Sequence, residues 1–125
     1  MGKRLTATIL AVGLLVATAA SAQTAREARR YYPRTALEQG VSGQAVIDCL
    51  VDVRGRLDCA TTHEAPLSAG FGDAAIRMTR EFRVAPQTRD GQSTAGGRAR
   101  FCFGFEPGPP PVINRDQTAC AALIS

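Results

Sequence analysis

Two cysteines on either side of a glycine-containing turn constrain the fold more than any other feature of the chain. Cys49 and Cys59 lie in runs of apolar and β-branched residues, which are typical of paired strands. If a three-residue loop ends at Gly55 in the left-handed conformation, Asp52 pairs with Arg56. Counting outward from that pair, Cys49 faces Cys59. Facing positions bring two sulfurs within bonding distance, so the sequence predicts a disulfide across a β-hairpin.

The two remaining cysteines, Cys102 and Cys120, complete an even set of four, and we expect them to form a second disulfide. No two cysteines have the C-x-x-C spacing of a zinc site, and His63 is the only histidine, so a metal site is the weaker alternative. Disulfides are typical of small exported domains. Each bond should contribute roughly 3 kcal/mol by restricting the unfolded chain. We predict no metal and no cofactor.

The N-terminus has the pattern of an export signal. Lys3 and Arg4 precede a mostly apolar run over 5–20, and a small-residue motif predicts cleavage between Ala22 and Gln23. The run is shorter than the about 20 apolar residues of a spanning helix and contains three threonines. We therefore predict a cleaved signal peptide. The alternative is an uncleaved segment that anchors the chain in the inner membrane.

Charge and motifs argue against two classes of function. The chain has 15 basic and 11 acidic residues, and loss of the signal lowers its net charge from +4 to +2. Acidic residues are interleaved with the arginines, so nucleic-acid binding is not supported. His63 is followed by Glu64, but no second base and no nucleophile motif accompany this pair. We predict that the protein is not an enzyme.

The periodicity of the chain predicts one small α+β domain. A short helix over 32–40 is followed by hairpin strands over 43–53 and 56–63. The strongest signal is the apolar stripe of a helix over 71–82. The last strand, 98–105, alternates three phenylalanines onto one face, and we expect them to lie beneath that helix.

This order of elements predicts a two-layer fold, with a three-stranded antiparallel sheet and two helices packed on one face. The signal peptide is assigned to 1–22 and a flexible lead-in to 23–30. The domain itself is expected over 31–106. A tail over 107–125 begins with a proline-rich segment and is expected to have no regular structure.

An ordered series of short motifs resembles the C-terminal domain of the TonB family. The series covers about residues 31–105 and consists of Tyr32-Pro33, Ala36, Gly40, Gly43, Val51-Asp52, Gly55-Arg56-Leu57, Phe71, Ala74-Ala75, Phe82-Arg83-Val84-Ala85-Pro86, Asp90-Gly91, Phe103 and Phe105. The resemblance implies a periplasmic domain in energy-dependent transport, which adds an extended segment of an outer-membrane receptor to its sheet. The alternative is a disulfide-stabilised exported domain with a structural or regulatory binding role.

The partner contact is predicted at the last strand. An edge strand offers N–H and C=O groups to an extended peptide, which assigns Arg98, Arg100, Cys102 and Phe103 to the contact. The alternative is that the arginines and the tail block this edge. The resemblance adds Tyr31 and Tyr32, whose alternative role is packing at a helix start. The expected partner is a protein or peptide; a homodimer, and membrane contact through a retained N-terminal segment, stay open.

Overall fold

The computed structural model describes residues 25–115, which form an antiparallel sheet covered on one face by helices. In chain order the elements are helix α1 (25–31), helix α2 (Arg34–Glu38), strands β1 (Gly43–Val51) and β2 (Leu57–Ala65), helix α3 (Phe71–Thr79), and strands β3 (Arg98–Glu106) and β4 (Val112–Arg115). The strand order is β2-β1-β3-β4. The two-layer α+β architecture was therefore predicted correctly.

The described part of the chain has four strands, and the prediction of three is wrong. Strand β4 pairs with β3 over Phe103–Glu106. It has only four residues and follows a proline-rich turn, so it carries no pattern long enough to identify it. Residues 107–111 connect it to β3, and its position depends on the pairing with that strand.

A helix occupies residues 25–31, where the sequence predicted a flexible lead-in. Ala28 is 2% exposed, and its carbonyl oxygen accepts a hydrogen bond from the amide of Tyr32 at 2.9 Å. Packing of Ala28 and Tyr31 against the rest of the domain stabilises a helix that is too short to be stable alone. The polar, arginine-rich surface of this helix hides that signal in the sequence.

The hairpin between β1 and β2 has the predicted register. The amide of Asp52 donates to the carbonyl oxygen of Arg56 at 2.9 Å, and Gly55 has φ +78°. Cys49 lies opposite Cys59 and forms a disulfide with it. Local turn geometry therefore determines the covalent link.

Farther along β2, the register slips by one residue. Val46 lies opposite His63 and Ile47 opposite Thr61, which leaves Thr62 as the extra residue of a β-bulge. The Thr62 hydroxyl donates to the carbonyl oxygen of Val46 at 3.2 Å. A bulge interrupts the ladder and increases the local twist.

The main core lies between the helices and one face of the sheet. Its largest fully buried side chains are Phe71, Phe103 and Phe105. The rings of Phe71 and Phe105 are 4.8 Å apart, and Tyr32 contacts both edge-on. Helix α3 ends at Thr79, three residues earlier than predicted, yet the ring of Phe82 still packs on Phe101 at 5.7 Å. The predicted alternation of the phenylalanines is confirmed.

Candidate functional site

The direction of backbone hydrogen bonds decides which residues face the outer edge of β3. The amide of Val51 donates to Gly97, and the carbonyl oxygen of Val51 accepts from Gly96, so odd-numbered residues of β1 point toward β3. Because this direction alternates along an antiparallel ladder, the even-numbered residues of β3 point away from β1. The backbone groups at the outer edge are thus those of Arg98, Arg100, Cys102, Gly104 and Glu106.

Strand β4 covers the last part of this edge. Asn114 lies opposite Gly104, and Val112 lies opposite Glu106. The sequence placed β3 at a sheet edge, and β4 covers this edge from Gly104 to Glu106. The protein's own chain pairs with it, which is a common way to protect a sheet edge.

Two of the residues predicted to contact the partner are buried. Phe103 is 1% exposed and lies in the core beneath the helices. Cys102 is 2% exposed and packs beside Val46 in a second cluster. Cys102 is also disulfide-bonded, and its partner lies outside the described residues, as does Cys120. Neither buried side chain is accessible to another protein in this conformation.

Arg98 and Arg100 are both exposed, as a partner contact requires. Arg100 forms a bidentate ion pair with Asp48 on the neighbouring strand, with Nε–Oδ1 and Nη2–Oδ2 distances of 2.6 and 3.0 Å. The hydrogen bond from Arg100 holds the pKa of Asp48 below its ordinary value. These residues, together with Leu50 and Arg98, line a cleft of about 390 Å³. The guanidinium of Arg100 is therefore committed to a contact within the sheet.

Tyr31 and Tyr32 have the packing role that was their alternative assignment. They are 6% and 4% exposed, and burial raises the pKa of both hydroxyl groups. The Tyr32 hydroxyl donates to the carbonyl oxygen of Val41 at 2.6 Å. The carbonyl oxygen of Tyr31 accepts from Nη2 of Arg77 at 3.2 Å, which ties α1 to α3.

The other edge of the sheet is β2, which pairs only with β1 in the described part of the chain. The hydrogen bond between the backbones of Asp52 and Arg56 fixes which residues of β2 direct their N–H and C=O groups toward β1. Leu57, Cys59 and Thr61 therefore direct their N–H and C=O groups outward. The sequence does not reveal this edge, because a hairpin pattern indicates that two strands pair but not which of them is internal to the sheet.

Residues 25–115 contain no group of three or more His, Cys, Asp or Glu residues that could hold a metal ion. His63 is exposed on β2. No helix in this range is long and apolar enough to cross a membrane. The predicted cleavage site between Ala22 and Gln23 lies outside the described residues.

A family model of the Gram-negative bacterial TonB protein C-terminal domain matches residues 28–105. The chain belongs to this family. The match begins within α1 and ends one residue before the end of β3, so it contains helices α2 and α3 and three of the four described strands. No curated protein and no solved structure matches the chain. The TonB C-terminal domain is a periplasmic protein-interaction domain without enzymatic activity.

Proposed function

We propose that this TonB-family domain binds an extended segment of an outer-membrane receptor by adding it as a strand to its sheet. The observation that carries the proposal is the pairing of β4, a strand of only four residues, with β3. This pairing supports the proposal, because a short extended segment of the same chain forms a ladder on this sheet. Backbone hydrogen bonds supply the affinity in this mode of recognition, and neighbouring side chains supply the selectivity.

Location in the periplasm is part of the proposal. Family membership supports it, and so does the disulfide between Cys49 and Cys59. Such bonds persist in the oxidising periplasm and are rare in the reducing cytosol. In this setting the domain meets the periplasm-facing segments of receptors, and the binding contributes to receptor-linked transport.

The test is a titration of the oxidised protein with labelled ten-residue peptides. The peptides cover the periplasm-facing N-terminal segments of outer-membrane receptors. We expect at least one to bind with a Kd below about 100 μM, which corresponds to more than about 5 kcal/mol of binding free energy. A copy of that peptide with alternate residues replaced by proline should bind at least tenfold more weakly, because proline removes the N–H groups that a ladder needs.

The control is a scrambled peptide of the same composition. If no receptor peptide binds at about 1 mM, the proposed partner class is wrong. If the proline-substituted copy binds as well as the original, the segment is recognised by side chains and strand addition is rejected.

A further inference from the structure

We propose that the C-terminal segment, residues 116–125, docks on the outer face of the sheet and is held there by a disulfide between Cys102 and Cys120. The outer face is the side of the sheet away from the helices, where the even-numbered side chains of β1 and β3 lie. The segment lies outside the described residues, but the surface that it would cover is described. This inference does not depend on the proposed function.

One part of the outer face is buried although no described helix lies over it. Val46 is 1% exposed and Cys102 is 2% exposed, and they form a cluster separate from the main core. Farther along the same face, Leu50 is 47% exposed, and the side chains of Asp48 and Arg100 are 41% and 48% exposed. An antiparallel sheet commonly leaves one face in water, so burial this complete indicates that a segment covers Val46 and Cys102.

The pairing of the cysteines identifies the segment that covers this cluster. The chain has four cysteines, and Cys49 is bonded to Cys59. Cys102 is also disulfide-bonded, and no described cysteine is free. Cys120 is the one cysteine that remains in the sequence, so it is the partner of Cys102. Because Cys102 is itself part of the buried cluster, this bond brings the C-terminal segment directly to it.

The segment must leave the edge of β3 in order to reach Cys102. Arg115, the last residue of β4, lies opposite Phe103. If the strand continued in this register, Cys120 would lie opposite Arg98, four residues and about 13 Å along β3 from Cys102. The Cα atoms of a disulfide are only about 4–7 Å apart. The chain therefore turns away from the edge after Arg115 and approaches Cys102 from the outer face, toward which that side chain points.

The outer face has both the space and the chemistry to accept this segment. Gly104 lies beside Cys102 on the same face and has no side chain, and a Cβ added to it would meet no described atom within 4 Å. The segment contains an apolar run, Ala121-Ala122-Leu123-Ile124, directly after Cys120. Packing of this run on Val46 is favourable because it removes the apolar surface of both from water.

Peptide mapping of the oxidised protein tests the disulfide. Trypsin cleaves after arginine, so it separates a peptide over 101–115, which contains Cys102, from a peptide over 116–125, which contains Cys120. We expect mass spectrometry to find these two peptides as one linked species before reduction and as two species after it. If they are already separate before reduction, the disulfide is wrongly assigned and the docking is overturned with it.

Docking is tested apart from the disulfide by methyl NMR and by two matched variants. In the oxidised wild-type protein we expect nuclear Overhauser effects between the methyl groups of Val46 and those of residues 121–124. Leu123→Asp with Ile124→Asp keeps both cysteines but places charge in the apolar run. Its control, Gln117→Asp with Thr118→Asp, adds the same charge before Cys120. Fluorescence of the dye ANS, which reports exposed apolar surface, should rise about twofold in the first variant and stay unchanged in the control.

Two results would overturn the docking even if the disulfide is found. One is the absence of every methyl contact between Val46 and residues 121–124, and the other is equal dye fluorescence in the two variants. Either result would mean that the segment is tethered to the sheet without packing on it. If circular dichroism shows that a variant is unfolded, the methyl contacts in the wild-type protein decide the question alone. Neither measurement involves a receptor peptide, so the proposed function is tested separately.

Discussion

Asp52 fixes the hairpin turn through hydrogen bonds to the backbone. Its carboxylate accepts from the amide of Arg54 at 2.8 Å and from that of Arg56 at 2.9 Å. The bond from the Arg56 amide is the main cause of a pKa below the ordinary value of 3.8. Gly55 closes the same turn with a positive φ, and a Cβ there would lie 2.3 Å from the carbonyl oxygen of Val84.

Replacing Asp52 with alanine should lower the free energy of unfolding at neutral pH but have little effect in acid. Because the pKa of Asp52 is lower in the folded state, the ionised carboxylate stabilises the fold above its unfolded pKa. That contribution disappears as the pH falls through the folded value. Urea unfolding of wild type and D52A at about pH 7 and about pH 3 measures the difference, which should shrink in acid. A difference of equal size at both pH values would contradict this account.

Single residues were predictable where short-range geometry determines them. The pairing of Cys49 with Cys59 follows from the turn, since counting outward from Asp52 and Arg56 gives the register. Phe103 was correctly placed in the core from its alternation, and its burial leaves the side chain inaccessible to a partner in this conformation. Alternation reports the face of a strand, whereas access to its edge depends on residues that are distant in sequence.

The hairpin disulfide gives the clearest stability prediction for an element. Replacing both Cys49 and Cys59 with alanine should lower the free energy of unfolding by about 3 kcal/mol, because the unfolded chain regains the freedom of the closed loop. Denaturant unfolding of the oxidised wild-type protein and of the double variant measures the difference in unfolding free energy. The matched control replaces the neighbouring facing pair, Leu50 and Asp58, with alanine. If the cysteine variant loses no more stability than this control, the disulfide is not a major contributor.

Most elements were predictable from the sequence, and α1 and β4 were not. The apolar stripe identified α3, and β-branched runs identified β1 and β2. Helix α1 and strand β4 were missed because each is stabilised by a few tertiary contacts, such as the burial of Ala28. Periodicity does not reveal an element that has too few apolar residues to form a repeating pattern.

At the scale of the whole molecule, β4 determines how much of the sheet is open to other chains. Asn114→Pro removes an N–H that faces Gly104 and should release β4 from β3. The exposed β3 edge should then promote self-association. Sedimentation velocity over a concentration series is expected to show larger species for Asn114→Pro than for Asn114→Ala, which keeps the N–H. Identical sedimentation of the two variants would show that β4 does not protect this edge.

The mode of binding could be predicted from the sequence, but the arrangement of the sheet edges could not. The resemblance to TonB indicated strand addition, and the family match from 28 to 105 agrees with that domain. The strand order could not be predicted from the sequence, because it depends on which side of β1 each neighbouring strand occupies. The position of the open edge is therefore a property of the assembled sheet and not of any one segment.

The bulge at Thr62 divides the outer edge of β2 into two parts that differ in register. A straight strand laid along β2 from Leu57 keeps its hydrogen-bond register for five residues, about 17 Å, before the slip at Thr62 misaligns it. Any longer strand must bend away or lose hydrogen bonds beyond that point. The slip therefore limits the length over which a second strand can pair in register with β2, which protects this edge against extension of the sheet.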